Sequence, residues 1–347
     1  MTVGRVTVDL CVRRRPTSWG NHMRTPSALG SVLLLGLLAA CGGDDEAGTS
    51  EEAAASYPTE DIRMLVPYGA GGPTDLTTRT VGACIEEELG QPVVVENMEG
   101  GSGALAMTEL AGAEPDGYTL SLVTAGTTVL TPLANDLDYT KDDFTPIGVM
   151  SEVPSVLAVG EGSRFTSAED FFEAAEAEPG TLTVGVPGAS TPQGIELQRL
   201  ADEYDVQVTA VPFNGNAEMT TAILGGNVDA VLINASADVV ENIDAGAFQP
   251  LVASSEERLS WLPDTPTFAE LGYESLTLSG STFGLAGPAG LPDEVVTTLE
   301  DTLQTCLGQD EVRQTIGEQY VREEFAGADE LGSVLDDTQQ AYEPILG

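Results

Sequence analysis

The stretch VPYGAGGPTDLTTR, at residues 66–79, most constrains what this chain can fold into. An apolar run that predicts a buried strand ends there in a glycine-rich turn, and a segment that predicts a helix follows. Thr74 and Asp75 suit the N-cap of that helix. Such a turn directs unpaired backbone N–H groups and the positive end of a helix dipole at one point. The stretch therefore favours an anion site, although an ordinary strand-to-helix turn would have similar residues.

The same order of strand, small-residue loop and helix recurs along the chain. Short apolar runs predict strands, and amphipathic or alanine-rich segments predict the helices between them. The predicted strands lie at 62–66, 93–95, 119–123, 144–150, 156–159, 182–186, 206–211 and 228–233. The predicted helices lie at 75–89, 104–113, 167–178, 193–204, 217–224 and 237–245. This alternation predicts an α/β protein with mainly parallel sheets wound by helices.

Five of the loops that follow predicted strands are small and polar. Ligands of parallel sheets bind beyond the carboxyl ends of the strands, so these loops are candidate walls of a binding site. Turn chemistry alone explains any one of them, and it is their recurrence that favours a site. The five loops are 67–75, 124–128, 187–192, 213–216 and 234–236.

The charge of the chain is strongly negative. Residues 1–40 contain five arginines and one acid, whereas the rest of the chain contains 8 basic and 55 acidic residues. A surface this acidic repels nucleic acid and anionic lipid, so we expect no nucleic-acid partner; solubility alone also explains such a composition. If the ligand is an anion, backbone amides and helix N-termini must bind it, because Arg and Lys are scarce.

Histidine and cysteine usage argues against catalysis. The single histidine, His22, lies in a predicted leader, so the exported chain has no residue for Ser-His-Asp or Cys-His chemistry. The spacing of Cys11, Cys41, Cys84 and Cys306 matches no zinc or redox motif. We therefore expect no catalytic residues, no metal and no cofactor.

The N-terminal region predicts export and a lipid anchor. The apolar run SVLLLGLLAA at 31–40 has the length of a signal-peptide core and is too short to span a bilayer. The tract LAACG at 38–42 resembles the bacterial lipobox, which predicts lipidation of Cys41, with ordinary cleavage after residue 40 as the alternative. We expect residues 1–40 to be a lipoprotein signal peptide whose true start is Met23. Residues 41–56 are small and acidic, which is typical of a flexible linker.

Six short motifs occur along the remaining chain in a fixed order. They are VPYGAGGPTD at 66–75 with Arg79, VEN at 95–97 with GGSG at 100–103, PDGYTL at 115–120, VPFNG at 211–215, ILGGNVD at 223–229, and LPDTPT at 262–267 with Glu270 and Gly272. With these motifs, residues 57–347 resemble the Bug-type solute-binding receptors of tripartite tricarboxylate transporters.

The resemblance implies a bilobed periplasmic-binding-protein-like fold of the Venus-flytrap type. Its two lobe crossings are expected near 156–159 and 281–287, so that lobe 1 comprises 57–157 plus 281–347 and lobe 2 comprises 158–280. Such a receptor closes on a small organic acid, commonly a carboxylate, and delivers it to integral-membrane transporter subunits without performing a reaction. We expect it to be a monomer.

The resemblance also implies a set of ligand-binding residues, carried over position by position. On one side of the cleft these are Tyr68, Gly69, Ala70, Gly71, Gly72, Thr74, Asp75 and Thr127, and on the other side Ser190, Thr191, Asn214 and Asn216. Two positions depart from the family, which often has His where this chain has Gly194 and Lys where it has Asn214. Fewer cations put a di- or tricarboxylate ligand in doubt and favour a monocarboxylate or a neutral compound.

Three questions stay open on the sequence. Cys84 and Cys306 lie on predicted helices of the same lobe of an exported protein, so they form either a disulfide or two separately buried thiols. An exported enzyme that uses paired carboxylates is the main functional alternative, although no specific spacing supports it. An assembly lipoprotein that has kept the fold and lost its ligand site is the other.

Overall fold

The computed structural model of the protein describes residues 57–276 and 279–346. The predicted signal peptide, the lipidation site Cys41 and the linker at 41–56 lie outside the described residues. None of the described helices is both long enough and apolar enough to cross a membrane.

Ten strands form two five-stranded sheets in the described part of the chain. The first sheet contains β1 (Ile62–Val66), β2 (Val93–Asn97), β3 (Thr119–Val123), β4 (Phe144–Val153) and β10 (Ser281–Pro288). The second sheet contains β5 (Ser155–Gly160), β6 (Thr183–Val186), β7 (Thr209–Pro212), β8 (Ala230–Asn234) and β9 (Phe248–Ser254). We call the part built on the first sheet lobe 1 and the part built on the second sheet lobe 2.

Helices connect most of these strands. Those that precede β5 are α1 (Pro73–Leu89), α2 (Ala104–Ala111) and α3 (Thr131–Ala134), the last continuing a π-helical turn at Gly126–Leu130. Those of lobe 2 are α4 (Ala168–Ala177), α5 (Pro192–Tyr204), α6 (Asn216–Leu224) and α7 (Ala237–Asp244). After β10 the chain adds α8 (Asp293–Leu307), α9 (Asp310–Ile316) and α10 (Ala328–Leu346) to lobe 1.

The two sheets have the same plan, with strand orders β2-β1-β3-β10-β4 and β7-β6-β8-β5-β9. In each sheet four strands point in one direction, and the fourth strand in the order, β10 or β5, is antiparallel to its neighbours. The sheets are therefore mixed, although most strands share a direction as the sequence predicts. The reversed strands are the ones that enter a lobe from the other lobe. A strand that begins at the cleft must run opposite to strands that end there.

The chain first changes sheet at Pro154, between β4 and β5. We expected this crossing near 156–159, but Ser155 already pairs with Asn234 and Ser254 of lobe 2. The difference follows from the proline, which has no N–H group for a strand ladder. The chain returns to the first sheet where β10 begins at Ser281.

Each lobe has its own core, and lobe 1 has a covalent link in addition. In lobe 1, α1, α8 and α9 pack on the first sheet around residues such as Ile85, Leu120 and Leu303. Of the two alternatives for its cysteines, the structure has the disulfide, Cys84–Cys306, which joins α1 to α8. In lobe 2, α4 and α5 pack on one face of the second sheet and α6 and α7 on the other.

Candidate functional site

The loop after β1 presents the start of α1 to the space between the lobes. The helix begins at Pro73, and Gly72 is its N-cap without a side-chain cap bond. Thr74 and Asp75 therefore lie inside the first turn and are not the N-cap that the sequence suggested. Proline is favoured at this first position because the N–H that it lacks would have no helical acceptor. The other N–H groups of the first turn have no acceptor within the helix and are free to bind a ligand.

Asp75 holds this loop from behind. Its carboxylate accepts hydrogen bonds from the Gly71 N–H at 3.0 Å, from Asn97 Nδ2 at 2.9 Å and from Arg79 Nε at 2.9 Å. Burial alone would raise the pKa of Asp75, but the bonds from Arg79, Gly71 and Asn97 outweigh it and lower the pKa below its usual range. The carboxylate is thus ionised, and its negative charge is directed at the back of the loop.

Two helix starts of lobe 2 face the start of α1. Helix α5 begins at Pro192, after an N-cap, Thr191, whose side chain accepts from the Gly194 N–H. Helix α6 begins at Asn216, after Gly215 with a φ of 150° that a side chain would disfavour. Asn216 Nδ2 donates to the Asn234 carbonyl at 2.9 Å and to Ser236 Oγ at 3.2 Å. Asn216 therefore fixes α6 to the end of β8.

The three helix starts meet in one cavity between the lobes. The cavity is narrow, with a volume of about 20 Å³, which is room for roughly one water. No residue of its wall carries a charged side chain. The wall is formed from lobe 1 by Tyr68, Gly69, Gly72, Pro73, Thr74, Thr124, Ser281 and Phe283, and from lobe 2 by Pro187, Pro192, Gln193, Gly215, Asn216 and Asn234.

The lobes touch around this cavity, so the structure is a closed conformation. The Gly69 N–H donates to the Asn214 carbonyl at 2.8 Å. Ser190 receives a hydrogen bond from Asn135 Nδ2 at 3.1 Å, and its N–H donates to Ser102 Oγ at 3.4 Å. These contacts join loops of lobe 1 to loops of lobe 2 at the mouth of the cleft.

Amide and hydroxyl groups form the deep end of the cavity. Gln193 Nε2 donates to Asn234 Oδ1 at 2.8 Å and to Ser155 Oγ at 3.0 Å. Ser281 Oγ donates to the same Asn234 oxygen at 3.1 Å. Ser155 and Ser281 are the first residues of the two crossing strands. The network therefore ties the start of α5 to both connections between the lobes.

A wider groove, of about 910 Å³, lies on the side of the crossing strands between α10 and the 254–261 segment. It shares Pro192 and Ser281 with the cavity. However, the one cation of its wall, Arg258, is already paired with Glu270, its wall also includes Glu152 and Asp337, and only one of the three helix starts borders it. We therefore place the candidate site in the narrow cavity.

The structure brings five of the twelve residues inferred from the sequence into the cavity wall: Tyr68, Gly69, Gly72, Thr74 and Asn216. Burial raises the pKa of Tyr68 to about 12. A hydrogen bond with Thr124, another residue of the wall, opposes this rise in the pKa.

The other seven residues lie outside the wall, for separate reasons. Ala70 and Gly71 are exposed on the outer side of the loop, and Asp75 is behind it. Thr127 is buried, and its hydroxyl is used in hydrogen bonds with Thr124. The remaining three serve as a helix cap or as contacts between the lobes: Thr191, Ser190 and Asn214.

The two departures from the family pattern also have structural explanations. A Cβ atom at Gly194 would lie 2.4 Å from the Ala189 carbonyl oxygen, so no side chain fits there in this loop conformation. Asn214 contributes its carbonyl to the contact with Gly69, while the residue as a whole is exposed. A cation at position 214 would therefore lie outside the cavity wall.

Sequence reasoning missed the residues that form the deep end of the cavity. Gln193 directly follows the predicted loop 187–192, and Asn234 begins the predicted loop 234–236. Ser281 was considered only as a lobe crossing. All three are polar residues that lie at or beside a predicted loop or crossing, and this position is the one signal for them in the sequence, because no motif includes them.

Known proteins resemble this chain over most of their length. A family model described as "Tripartite tricarboxylate transporter family receptor" matches residues 77–346. BugT from Bordetella pertussis is 27% identical over 298 residues, which are 84% of this chain and 90% of BugT. The structure of MatC from Rhodopseudomonas palustris with bound malate has a TM-score of 0.76 and 28% identity, covering 84% of this chain and 100% of MatC. The structure of Rpa4515 from R. palustris with adipate has a TM-score of 0.76 and 29% identity, covering 83% of this chain and 96% of Rpa4515.

Proposed function

Because this chain belongs to the tripartite tricarboxylate transporter receptor family, we propose that it captures a small organic acid between its lobes and delivers it to the membrane subunits of such a transporter. It is an extracytoplasmic solute-binding receptor, as the periplasmic binding protein BugD, which has a similar structure, is. The observation that carries the proposal is the meeting of three helix starts in one cavity between the lobes.

Backbone amides are the groups in this cavity that can hold an anion. Helix N-termini combine free N–H groups with the positive end of the helix dipole, so they bind carboxylates without a cationic side chain. Gly72 and Thr74 supply such N–H groups from lobe 1, and Asn216 does so from lobe 2. Asp75, Thr127 and Thr191 contribute by fixing the loops on which these amides lie.

Closure completes the site. The contacts of Gly69 with Asn214 and of Ser102 with Ser190 form only when the two lobes meet. Because the cavity in this structure has room for about one water, we propose that the acid enters an open form and that the lobes then close around it less far than they do here, which still excludes water. Exclusion of water strengthens each bond from an amide to the carboxylate.

We further propose how the receptor is attached and divided. Cys41 carries a lipid at the outer face of the membrane, and the acidic linker at 41–56 lets the folded part reach the transporter. Lobe 1 comprises 57–154 plus 281–347 and lobe 2 comprises 155–280, so that the first boundary lies three residues before the predicted one at 157. The protein acts as a monomer, performs no reaction on the acid, and does not bind nucleic acid.

A thermal-shift screen tests this function. Mono-, di- and tricarboxylates of three to eight carbons are added to the exported domain, and the fully amidated form of each acid serves as its uncharged control. A receptor gains about 2.7 kcal/mol of stability at a ligand concentration of 100 Kd, so its melting temperature rises with the acid and not with the amide. An unchanged melting temperature with every acid would contradict the proposal, and turnover of an acid would support the enzyme alternative.

A further inference from the structure

Gln193 is a buried cavity residue whose hydrogen-bonding capacity is only half used. It is 1% exposed, and its amide nitrogen has two acceptors in Asn234 and Ser155. Its oxygen, Oε1, is buried without a partner. An unpaired buried acceptor is costly and rare, so this one calls for a donor that the protein itself does not supply.

The orientation of this amide is fixed by its neighbours. The Asn234 side-chain oxygen also accepts from Ser281 Oγ, so it is an acceptor for the whole network. Ser155 Oγ has two acceptors within reach, the Ser279 carbonyl at 2.7 Å and Asn234 Oδ1 at 3.2 Å. Its single hydrogen goes to the nearer one, and its oxygen accepts from Gln193. Rotating the Gln193 amide would place its oxygen against the Asn234 oxygen, with no hydrogen between them. The amide of Gln193 therefore leaves Oε1 as an acceptor without a donor at this end of the cavity.

The distribution of charge around the cavity also favours a neutral donor at its deep end. Its wall has no cationic side chain, and the positive ends of three helices are the only favourable field for an anion. A second carboxylate at the deep end would face the Gln193 and Asn234 oxygens and would lose its hydration without gaining a cation. A neutral group that donates a hydrogen bond would meet no such cost.

From these observations, and resting on the proposed function, we infer that Gln193 selects the ligand: this receptor binds a carboxylic acid with one ionised carboxylate and a neutral hydroxyl or amide N–H donor at its other end. The carboxylate is held at the helix starts, and the neutral donor binds Gln193 Oε1. Dicarboxylates of the same length bind more weakly.

Isosteric ligand pairs provide the test. Succinate, glutarate and adipate are each compared by calorimetry with succinamate, glutaramate and adipamate, in which an amide replaces one carboxylate. We expect the best monoamide to bind at least about tenfold more tightly than its diacid, because a site built for a donor rejects a group that cannot supply one. Butanoate against 4-hydroxybutanoate adds a pair that differs only by a hydroxyl, and the hydroxylated acid is expected to bind more tightly.

Two variants on the same helix link this preference to the residue. Gln193→Met keeps the length of the side chain and removes the acceptor, so it should bring the affinities of each pair to within about threefold of one another. Gln198→Met, at an exposed position of α5, should leave the preference unchanged. If Gln193→Met fails to fold, the ligand pairs on the unmodified protein decide the question alone.

The outcomes separate the two proposals. Diacids that bind as tightly as their monoamides, or a preference that persists in folded Gln193→Met, would overturn the role of Gln193 and leave the receptor function intact. Failure of every acid of both series to bind would overturn the receptor function and this inference with it.

Discussion

In lobe 1, the loop at the cleft is held by a buried, ionised carboxylate, that of Asp75. In lobe 2, buried amides and hydroxyls hold the helix starts, and the Glu218 carboxylate that accepts from the Asn214 N–H is exposed. Asp75 is directed away from the cavity and binds Gly71, Asn97 and Arg79. Gln193 and Asn234 form part of the cavity wall itself. The first arrangement keeps the charge out of the cavity and leaves backbone amides and neutral side chains facing the ligand, and the second leaves amide side chains that can distinguish one ligand from another.

The difference shows how a very acidic protein can bind an acid. The negative charge that lobe 1 needs for rigidity is kept behind the loop and paired with Arg79, so the ligand meets the positive ends of helix dipoles. The opposite wall has no charge to conflict with the ligand. We infer that the helix starts of both lobes provide the general affinity for a carboxylate and that the side chains of lobe 2 provide the selectivity.

The largest expected effect comes from removing the carboxylate of lobe 1. Asp75→Ala should weaken acid binding by roughly 10- to 100-fold and lower the free energy of unfolding by about 2 kcal/mol, because three hydrogen bonds to a charged group are lost. Calorimetry and urea unfolding measure the two effects. Arg79→Ala is the matched control: its side chain is about half exposed, and exposed ion pairs contribute about 0–1 kcal/mol. An affinity unchanged by Asp75→Ala would refute the role of lobe 1.

A smaller effect is expected in lobe 2, where two asparagines of the same loop offer a direct contrast. Asn216→Ala removes two buried hydrogen bonds that fix α6, so affinity should fall by roughly tenfold and stability by about 1–2 kcal/mol. Asn214→Ala keeps the carbonyl that binds Gly69 and changes only an exposed side chain. The affinity of the Asn214→Ala variant for the acid should remain within about twofold of that of the unmodified protein. Equal losses of affinity in both variants would mean that the Asn216 side chain has no special role in this wall.

The smallest effect concerns Glu196, one turn after Gln193 on α5. Glu196 is 2% exposed, accepts hydrogen bonds from Tyr342 Oη of lobe 1 at 3.0 Å and from Arg199 Nη1 at 2.8 Å, and has one oxygen without a partner. Burial raises its pKa above the ordinary 4.5, with a smaller contribution from Glu203, although Arg199 and Tyr342 oppose the shift. The folded state therefore binds a proton more readily than the unfolded state, and Glu196 costs stability as the pH rises through its folded pKa.

Glu196→Gln removes this titration and keeps an acceptor for Tyr342. The variant should gain stability relative to the unmodified protein as the pH rises from about 4 to 8, by about 1 kcal/mol or less. Melting temperatures of both proteins across this range measure the difference, in which the other titrating groups cancel. A difference that stays constant with pH, or that falls as the pH rises, would be inconsistent with a raised pKa.

Local patterns predict much of this fold. Apolar runs and glycine turns locate β1, α1 and most later strands and helices to within a few residues, because their periodicity is set by near neighbours. Strand β9 is not predicted, since Pro250 interrupts its pattern, and the structure tolerates this proline because β9 is an edge strand. Pro73 likewise moves the start of α1 two residues earlier than Asp75 suggests, because it is itself favoured at the first helical position.

The site is less predictable than the fold. The glycine loops can be identified by type, but the network of Ser155, Gln193, Asn234 and Ser281 joins residues up to 126 positions apart. Each of these residues is common in loops and strand ends and carries no motif. These residues come together only because the chain crosses from lobe 1 to lobe 2 and later returns.

A crystal structure with an acid that raises the melting temperature would test the central claim most directly. The account predicts a carboxylate whose oxygens lie about 3 Å from backbone nitrogens at the starts of α1 and of α5 or α6. It also predicts that no Arg or Lys nitrogen lies within about 4 Å of those oxygens, the limit for an ion pair. A carboxylate bound to an Arg or Lys side chain, or outside the cleft, would contradict it.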